Sequence, residues 1–434
     1  MAVFDTGPLE NRITPRTSQL TIRLLNTGRQ TAQVGIEAYE VTPAVGGFTS
    51  ETIYVLNIVQ LNPFGSPDSG FTLDNIYANL DVFGVRVITS GLGANDIAVT
   101  IVEKDSTGQI IGERLLEGEL SQIQELLFAY VANNGQDTVT VINTGTNTIL
   151  TTVPLPTGSL PVAVAITPNG STAYIANGGN DTVTVINVAT NTILTSIALP
   201  PASAPAGIAI NPDGSRAYVT NGGNDTVTVI DLATNTILTT VSLPAGSGPN
   251  GIALTPNGLR AYVANGGNDS VTVVITATNT ILTTISLTAG SGPRGIAITP
   301  DSSRAYVTDS SNDSVTVINT STNLVLLTIS LPVGSNPRGI TITPDGSRAY
   351  VTDFGNDTVI MINTATDLIL SKIPLPAGSN PDGIAITSDG SRAYVTGNGN
   401  STAVVITTAT DAVSAPLPVG LNPQGIAITP IQLY

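Results

Sequence analysis

The sequence predicts an all-β protein in which a ring of similar four-stranded sheets follows a separate β-domain. Three observations support this prediction. An Ala-Tyr-Val or Ala-Tyr-Ile tripeptide recurs seven times at a constant interval of 44 residues. Each repeat contains four short runs rich in Val, Ile and Thr, with turn residues between them. All nine Glu residues lie at or before Glu125, so the composition changes where the repeats begin.

The repeat itself predicts a seven-bladed β-propeller. In the third copy, we expect strand A at 206–210, strand B at 216–220, strand C at 226–231 and strand D at 236–243. Between strands A and B, the segment Asn211-Pro-Asp-Gly supplies the Pro and Gly that a tight turn requires. Units of four strands and about 40–45 residues are typical of propeller blades.

The phase of the repeats predicts how the ring closes. The first repeat begins at strand B, near residues 127–132, and has no A strand before it. The chain ends just after an A strand, Gly425-Ile-Ala-Ile. The C-terminal strand is therefore expected to complete the first blade, which removes the open sheet edges. The seventh repeat is two residues shorter between Asp411 and Pro423 than its predecessor between Asp367 and Pro381, which predicts a short outer strand.

The segment Ala217-Tyr-Val-Thr-Asn and its six counterparts resemble the YVTN-type propeller repeat. The segments of the type Gly-Ile-Ala-Ile-Thr-Pro-Asp-Gly match it too. The resemblance covers about residues 125–434 and implies a seven-bladed propeller. For function it implies only a range of roles, because propellers of this type serve in surface attachment, in scaffolding and, with added residues, in catalysis.

Residues 1–124 are predicted to form a different domain. About seven strand-like runs lie in this length, and they favour an antiparallel β-sandwich. We expect this domain to serve in attachment or assembly, with the propeller of residues 125–434 displayed beside it.

The composition excludes several classes of function. The chain has 15 Lys and Arg against 31 Asp and Glu, a net charge of −16, which argues against nucleic-acid and anionic-membrane partners. The absence of Cys and His removes thiolate and imidazole chemistry, including the Ser-His-Asp triad and histidine metal ligands. No secretory signal and no apolar run of membrane-spanning length is visible, so no membrane insertion is expected. No cofactor and no metal site is predicted.

Candidate site residues emerge when each repeat is compared with its siblings. The residue after the Pro that opens strand A reads Val162, Ala206, Asn250, Arg294, Arg338, Asp382 and Gln424 around the ring. The residue that closes strand B is Asn in four repeats and Asp309, Asp353 and Gly397 in the others. The charged departures, Arg294, Arg338, Asp309, Asp353 and Asp382, belong to successive units and are expected at the channel mouth.

Two interpretations of these five residues remain open. They form a polar pocket whose guanidiniums bind an anion or carboxylate, or they form Arg–Asp pairs that join neighbouring blades. The turn aspartates, represented by Asp181, are interpreted as turn caps rather than calcium ligands, because each unit offers a single carboxylate.

The first functional hypothesis is a non-catalytic structural or interaction protein, not an enzyme. It would act outside the cell or on a cell or spore surface, as in a filament or layer. Its N-terminal domain would bind protein partners or copies of the chain itself. The alternative is a soluble binding module that recognises an anionic or carboxylate-bearing ligand at the channel mouth.

Overall fold

A computed structural model describes the backbone of ten strands between residues 2 and 123, and all of residues 127–430. Strands are numbered in chain order. The first ten are β1 (Ala2–Asp5), β2 (Leu9–Glu10), β3 (Gln19–Asn26), β4 (Ala32–Pro43), β5 (Thr49–Leu61), β6 (Gly70–Tyr77), β7 (Val82–Ser90), β8 (Ile97–Lys104), β9 (Ile110–Leu115) and β10 (Ser121–Ile123).

These ten strands form two antiparallel sheets. One has the order β10-β1-β7-β4-β5, with β2 also paired to β7, and the other has the order β6-β3-β8-β9. The face-to-face packing that a sandwich requires depends on side chains outside the described residues. The sandwich therefore stays a prediction.

Residues Leu126–Ile431 form one compact unit, and it is a seven-bladed propeller. The inner A strands contact one another around the ring. They are β14 (Pro161–Ile166), β18 (Pro205–Ile210), β22 (Pro249–Leu254), β26 (Pro293–Ile298), β30 (Pro337–Ile342), β34 (Pro381–Ile386) and β39 (Pro423–Ile428).

The middle of each blade consists of two buried strands. The B strands are β11 (Phe128–Asn133), β15 (Thr172–Asn177), β19 (Arg216–Asn221), β23 (Arg260–Asn265), β27 (Arg304–Asp309), β31 (Arg348–Asp353) and β35 (Arg392–Gly397). The C strands are β12 (Thr138–Asn143), β16 (Thr182–Asn187), β20 (Thr226–Asp231), β24 (Ser270–Ile275), β28 (Ser314–Asn319), β32 (Thr358–Asn363) and β36 (Thr402–Thr407). Most of their side chains are buried, because neighbouring blades cover both faces.

The outer D strands form the exposed rim. They are β13 (Thr148–Pro154), β17 (Thr192–Ala198), β21 (Thr236–Ser242), β25 (Thr280–Ser286), β29 (Leu324–Ser330) and β33 (Leu368–Pro374). In the seventh blade the rim is reduced to two fragments of two residues each, β37 (Ala412–Val413) and β38 (Leu417–Pro418). The shorter seventh repeat therefore produces the short outer strand expected from it.

The first blade joins the two ends of the propeller. Its strand order is β13-β12-β11-β39, and β39 pairs antiparallel with β11 so that Ala129 faces Ile428. At the entry point, the Phe128 amide donates to the Thr429 hydroxyl at 2.8 Å, and the Thr429 amide donates to the Phe128 carbonyl at 2.8 Å. Blades are numbered 1 to 7 from this sheet, following the chain.

Each boundary between blades holds its own hydrophobic cluster and at least one polar latch, a hydrogen bond from a side chain of one blade to the next blade. The repeat tyrosine of one blade is buried in the cluster that it shares with the next blade. In six of the seven described blades, the tyrosine hydroxyl donates to the C–D turn of the next blade. Tyr174, for example, donates to Oδ1 of Asn235 at 2.7 Å. From the third blade onward an arginine also forms a latch: Nη1 of Arg216 donates to the Thr276 carbonyl at 3.1 Å. The tyrosine ring therefore joins blades.

A carboxylate in the B–C turn holds the loop that leads into the next A strand. Asp181 accepts hydrogen bonds from the amides of Ala202 and Ala204, both at 2.8 Å. Asp137, Asp225, Asp269, Asp313 and Asp357 make the equivalent pair of bonds. These bonds give the carboxylates a structural role as caps and position the D–A loops at one end of the channel. The described residues contain no helix with the length and apolarity of a membrane span.

Candidate ligand-binding site at the channel mouth

A cavity of about 470 Å³ opens at the end of the channel where the D–A loops lie. Its lining includes the second residue of every A strand, the seven residues Val162, Ala206, Asn250, Arg294, Arg338, Asp382 and Gln424. These seven residues are called the mouth ring below. Since the inner strands run side by side around the ring, a single strand position brings together side chains from all the blades.

The glycine after the ring residue allows this close approach. A Cβ atom at Gly295 would collide with the carbonyl oxygen of Arg338, and one at Gly339 with that of Asp382. The Arg338 carbonyl itself accepts a hydrogen bond from the Thr308 hydroxyl at 2.7 Å. The backbone beneath Arg338 and Asp382 is therefore tightly packed.

The charged part of the mouth ring contains two guanidiniums that share one carboxylate. Oδ2 of Asp382 accepts from Nη1 of Arg338 at 2.5 Å and lies 3.5 Å from Nη2 of Arg294. The Asp382 side chain is 11% exposed, the Arg338 side chain 18% and the Arg294 side chain 37%. The close pair is therefore Arg338–Asp382, and Arg294 presents its guanidinium to the cavity.

Phe354 fixes the position of Arg338. The centre of its ring lies 3.2 Å from Cζ of the guanidinium, a cation–π contact. Burial lowers the pKa of Arg338, with repulsion from Arg294 in the same direction and attraction to Asp382 opposing both. Phe354 was not among the predicted site residues. The other six repeats have Asn, Gly or Ser at its position, so this single aromatic departure is the signal in the sequence that marks it.

Asp309 and Asp353 do not line this cavity, so the predicted cluster of five divides. Both close a B strand, are buried, and bond within their own blade. Oδ2 of Asp309 accepts from the hydroxyls of Ser314 and Thr316 at 3.0 and 2.7 Å. Oδ2 of Asp353 accepts from Thr358 at 3.0 Å. Burial raises the pKa of Asp309 to about 6 and also raises that of Asp353.

The sibling blades explain why this buried position accepts a carboxylate. In the fourth blade, Nδ2 of Asn265 donates to the hydroxyls of Ser270 and Thr272 at 3.0 and 2.8 Å. Hydroxyl groups donate as well as accept, so the same partners serve Asp309 when they turn their protons toward it. The placement of Asp309 and Asp353 in the mouth was therefore wrong, because the end of strand B faces the blade interior.

Comparison with known proteins supports the fold and bears on function. The model of the family described as Lactonase, 7-bladed beta-propeller matches residues 200–283 and 252–332. The hydrazine synthase structure from Kuenenia stuttgartiensis is similar, with 25% identity, a TM-score of 0.57, and 62% of this chain and 90% of that chain covered. A comparison with curated proteins finds no match.

Two further solved structures share the fold. A putative 6-phosphogluconolactonase from Bacteroides fragilis is 15% identical, with a TM-score of 0.58 and coverage of 71% of this chain and 99% of that chain. A periplasmic gluconolactonase from Pseudomonas aeruginosa is 16% identical, with a TM-score of 0.58 and coverage of 70% and 99%. At these identities the likeness shows the propeller architecture.

The match to the lactonase model contradicts the expectation of a non-catalytic structural protein that is not an enzyme. That expectation was wrong because the absence of His and Cys excludes imidazole and thiolate mechanisms, not reactions assisted by arginine and carboxylate. Of the two functions considered from the sequence, ligand binding at the channel mouth agrees better with these comparisons.

Proposed function

We propose that the channel mouth binds a small carboxylate or other compact anion, with Arg294 as the principal contact. The observation that carries this proposal is the unequal sharing of Asp382. Arg338 lies 2.5 Å from Oδ2 of Asp382. Arg294 lies 3.5 Å from the same oxygen, and 37% of its side chain is exposed. A guanidinium without a close partner offers paired N–H donors to a planar carboxylate.

The charges of the mouth ring favour an anionic ligand. The mouth ring contains two arginines and one aspartate, so it is locally positive in a chain whose net charge is −16. The arginines that open the B strands donate instead to backbone carbonyls of the next blade. They are Arg216, Arg260, Arg304, Arg348 and Arg392. Of the two arginines in the mouth ring, Arg294 is the more exposed, at 37% against 18% for Arg338.

Asn250 and Gln424 widen the range of ligands that fit. They flank the charged residues of the mouth ring, Asn250 before Arg294 and Gln424 after Asp382. Their amide groups both donate and accept hydrogen bonds. An anion that also has a hydroxyl or carbonyl group would find partners there.

Hydrolysis of a lactone is the second candidate function, and the family match over residues 200–332, which include Arg294, favours it. In this reaction water adds to the carbonyl carbon, the ring C–O bond breaks, and a hydroxycarboxylate and a proton are released. Guanidiniums stabilise the oxyanion that develops and then bind the carboxylate product. Among the described residues that line the cavity, Asp382 is the one carboxylate in place to accept a proton.

Titration calorimetry with propionate and gluconate tests the binding function. We expect Arg294→Gln to weaken binding at least tenfold, whereas Arg304→Gln, which removes a latch between blades, should leave it unchanged. If the wild-type protein binds neither propionate nor gluconate, the proposal is wrong. Release of acid from glucono-1,5-lactone, followed in a pH-stat, tests the second function separately.

A further inference from the structure

An apolar arc lines the channel mouth across the ring from the arginines. Blades 2 and 3 contribute Val162 and Ala206 to the mouth ring, and their D–A loops contribute Leu160 and Ala204 above it. All four residues line the same cavity as Arg294. Leu160 is 44% exposed, which places apolar surface in contact with solvent. The mouth is therefore apolar on one side and charged on the other.

The backbone beneath this arc is in an unfavourable conformation. Leu160 and Ala204 have φ values of 45° and 42°, in the left-handed region that side chains with a Cβ rarely adopt. The five equivalent loop positions also have positive φ, but they are occupied by residues that tolerate it: Gly248, Gly292, Asn336, Asn380 and Asn422. Leu160 and Ala204 thus place apolar side chains at a position where the other five repeats have Gly or Asn, the residues that suit this backbone conformation. Strain of this kind concentrates at functional sites.

We propose that the ligand of the channel mouth is an amphipathic monocarboxylate, an aliphatic or aromatic acid rather than a polyhydroxylated one. The inference rests on the proposed function, in which Arg294 holds the carboxylate of the ligand. The apolar body then extends across the mouth to the apolar arc of Leu160, Val162, Ala204 and Ala206. A cavity of about 470 Å³ accommodates an acid of this size.

Calorimetric titration of the whole protein with straight-chain acids from propionate to octanoate tests this inference. Each methylene that reaches the arc should tighten binding roughly fourfold, the effect of burying one CH₂ group. In the double variant Leu160→Asn, Val162→Asn, the affinity should no longer rise with chain length. Both replacements copy residues found at the same positions of other blades, Asn336 and Asn250, and Asn relieves the strain at position 160, so the fold should be retained.

Two controls separate the mouth from other apolar surface. Leu194→Asn removes an apolar side chain that is 55% exposed on β17, outside the cavity, and should keep the dependence on chain length. Arg294→Gln should weaken binding of every acid in the series. An affinity for octanoate that is unchanged in the Arg294→Gln variant would place the apolar contact elsewhere and overturn the inference.

The outcomes distinguish this inference from the function on which it rests. If propionate and gluconate bind but octanoate binds no more tightly, the apolar arc has no role in recognition and the inference is wrong, while anion binding stands. If no acid of the series and no gluconate binds, both are wrong. A rise in affinity with chain length that the double variant abolishes supports both.

Discussion

Arg338 and Asp382 belong to neighbouring blades, and their side chains form a 2.5 Å ion pair under the ring of Phe354. The pair is mostly buried and joins blades 6 and 7 at the channel. Arg294, one blade earlier, makes a contact a full ångström longer with the same carboxylate. The two arginines are therefore expected to differ in what they contribute to stability.

Arg338→Ala should destabilise the protein by about 2 kcal/mol, because it leaves a buried carboxylate with a weaker partner and removes the cation–π contact. Arg294→Ala should cost less than about 1 kcal/mol, as for other exposed ion pairs. Chemical denaturation of the two variants measures the difference. Equal losses would show that both arginines act as structural pairs and that neither is held ready for a ligand.

Asp309→Asn should stabilise the protein in a pH-dependent manner. Burial raises the pKa of Asp309 from its ordinary value of 3.8 to about 6. The folded state therefore binds this proton more tightly than the unfolded state, so wild-type stability is lost as the pH rises from about 4 through 6. The free energy of unfolding of the variant should match that of the wild type near pH 4 and exceed it by about 1–3 kcal/mol at pH 8.

The fourth blade offers the reciprocal control for that prediction. Asn265 occupies the same position with hydroxyl partners at the same places. Asn265→Asp should reduce the free energy of unfolding at pH 8 and leave it unchanged near pH 4. A pH-independent effect of either substitution would contradict the assignment of the raised pKa to this site.

Removal of two tyrosine hydroxyls should have unequal effects. The Tyr306 hydroxyl donates to Oδ1 of Asp367 at 2.6 Å, whereas the Tyr350 hydroxyl is buried and has no hydrogen-bond partner among the described residues. Tyr306→Phe should cost about 1.5–3 kcal/mol, the value of a buried hydrogen bond to a charged group. Tyr350→Phe should be neutral or slightly stabilising in the same urea denaturation. A larger loss for Tyr350→Phe would show that its hydroxyl is bonded in solution.

A chain that ends at Val419 lacks β39 and should melt at a temperature well below that of the intact protein. Without β39, β11 is paired on one side only and the first blade has no inner strand. A synthetic peptide of residues 420–434 should restore the melting temperature, measured by circular dichroism. The same peptide with Ile426→Asp is the control, since Ile426 is buried between blades 7 and 1. An unchanged melting temperature after truncation would mean that closure by β39 contributes nothing.

Much of the propeller follows from the repeat alone. The strands expected at 216–220 and 226–231 correspond to Arg216–Asn221 and Thr226–Asp231, because turn residues mark their ends so clearly. Arg294, Arg338 and Asp382 meet because one position on each inner strand faces the channel. Asp309 and Asp353 departed from the repeat in the same manner, and only the direction of their side chains separates them from the mouth.

The rest could not be read from residue types. Departures from a repeat identify where a blade differs, but backbone conformation was needed to show that Leu160 and Ala204 occupy left-handed positions. The absence of His excludes mechanisms that use imidazole. The sequence-based expectation wrongly took it to exclude all catalysis. The sandwich of residues 1–124, its protein partners and a location at a cell surface stay predictions.

The hydrogen bonds between Phe128 and Thr429 mean that the propeller begins and ends at a single place. Two antiparallel strand ends at this spacing, about 5 Å, match the separation of the two residues that flank a hairpin loop. The whole propeller can thus be inserted into a hairpin loop of another protein without separating the two residues that flank the loop. In the propeller without residues 1–126, new termini placed in a C–D turn should likewise yield permuted chains that fold, with the ends at Phe128 and Thr429 joined by a short linker.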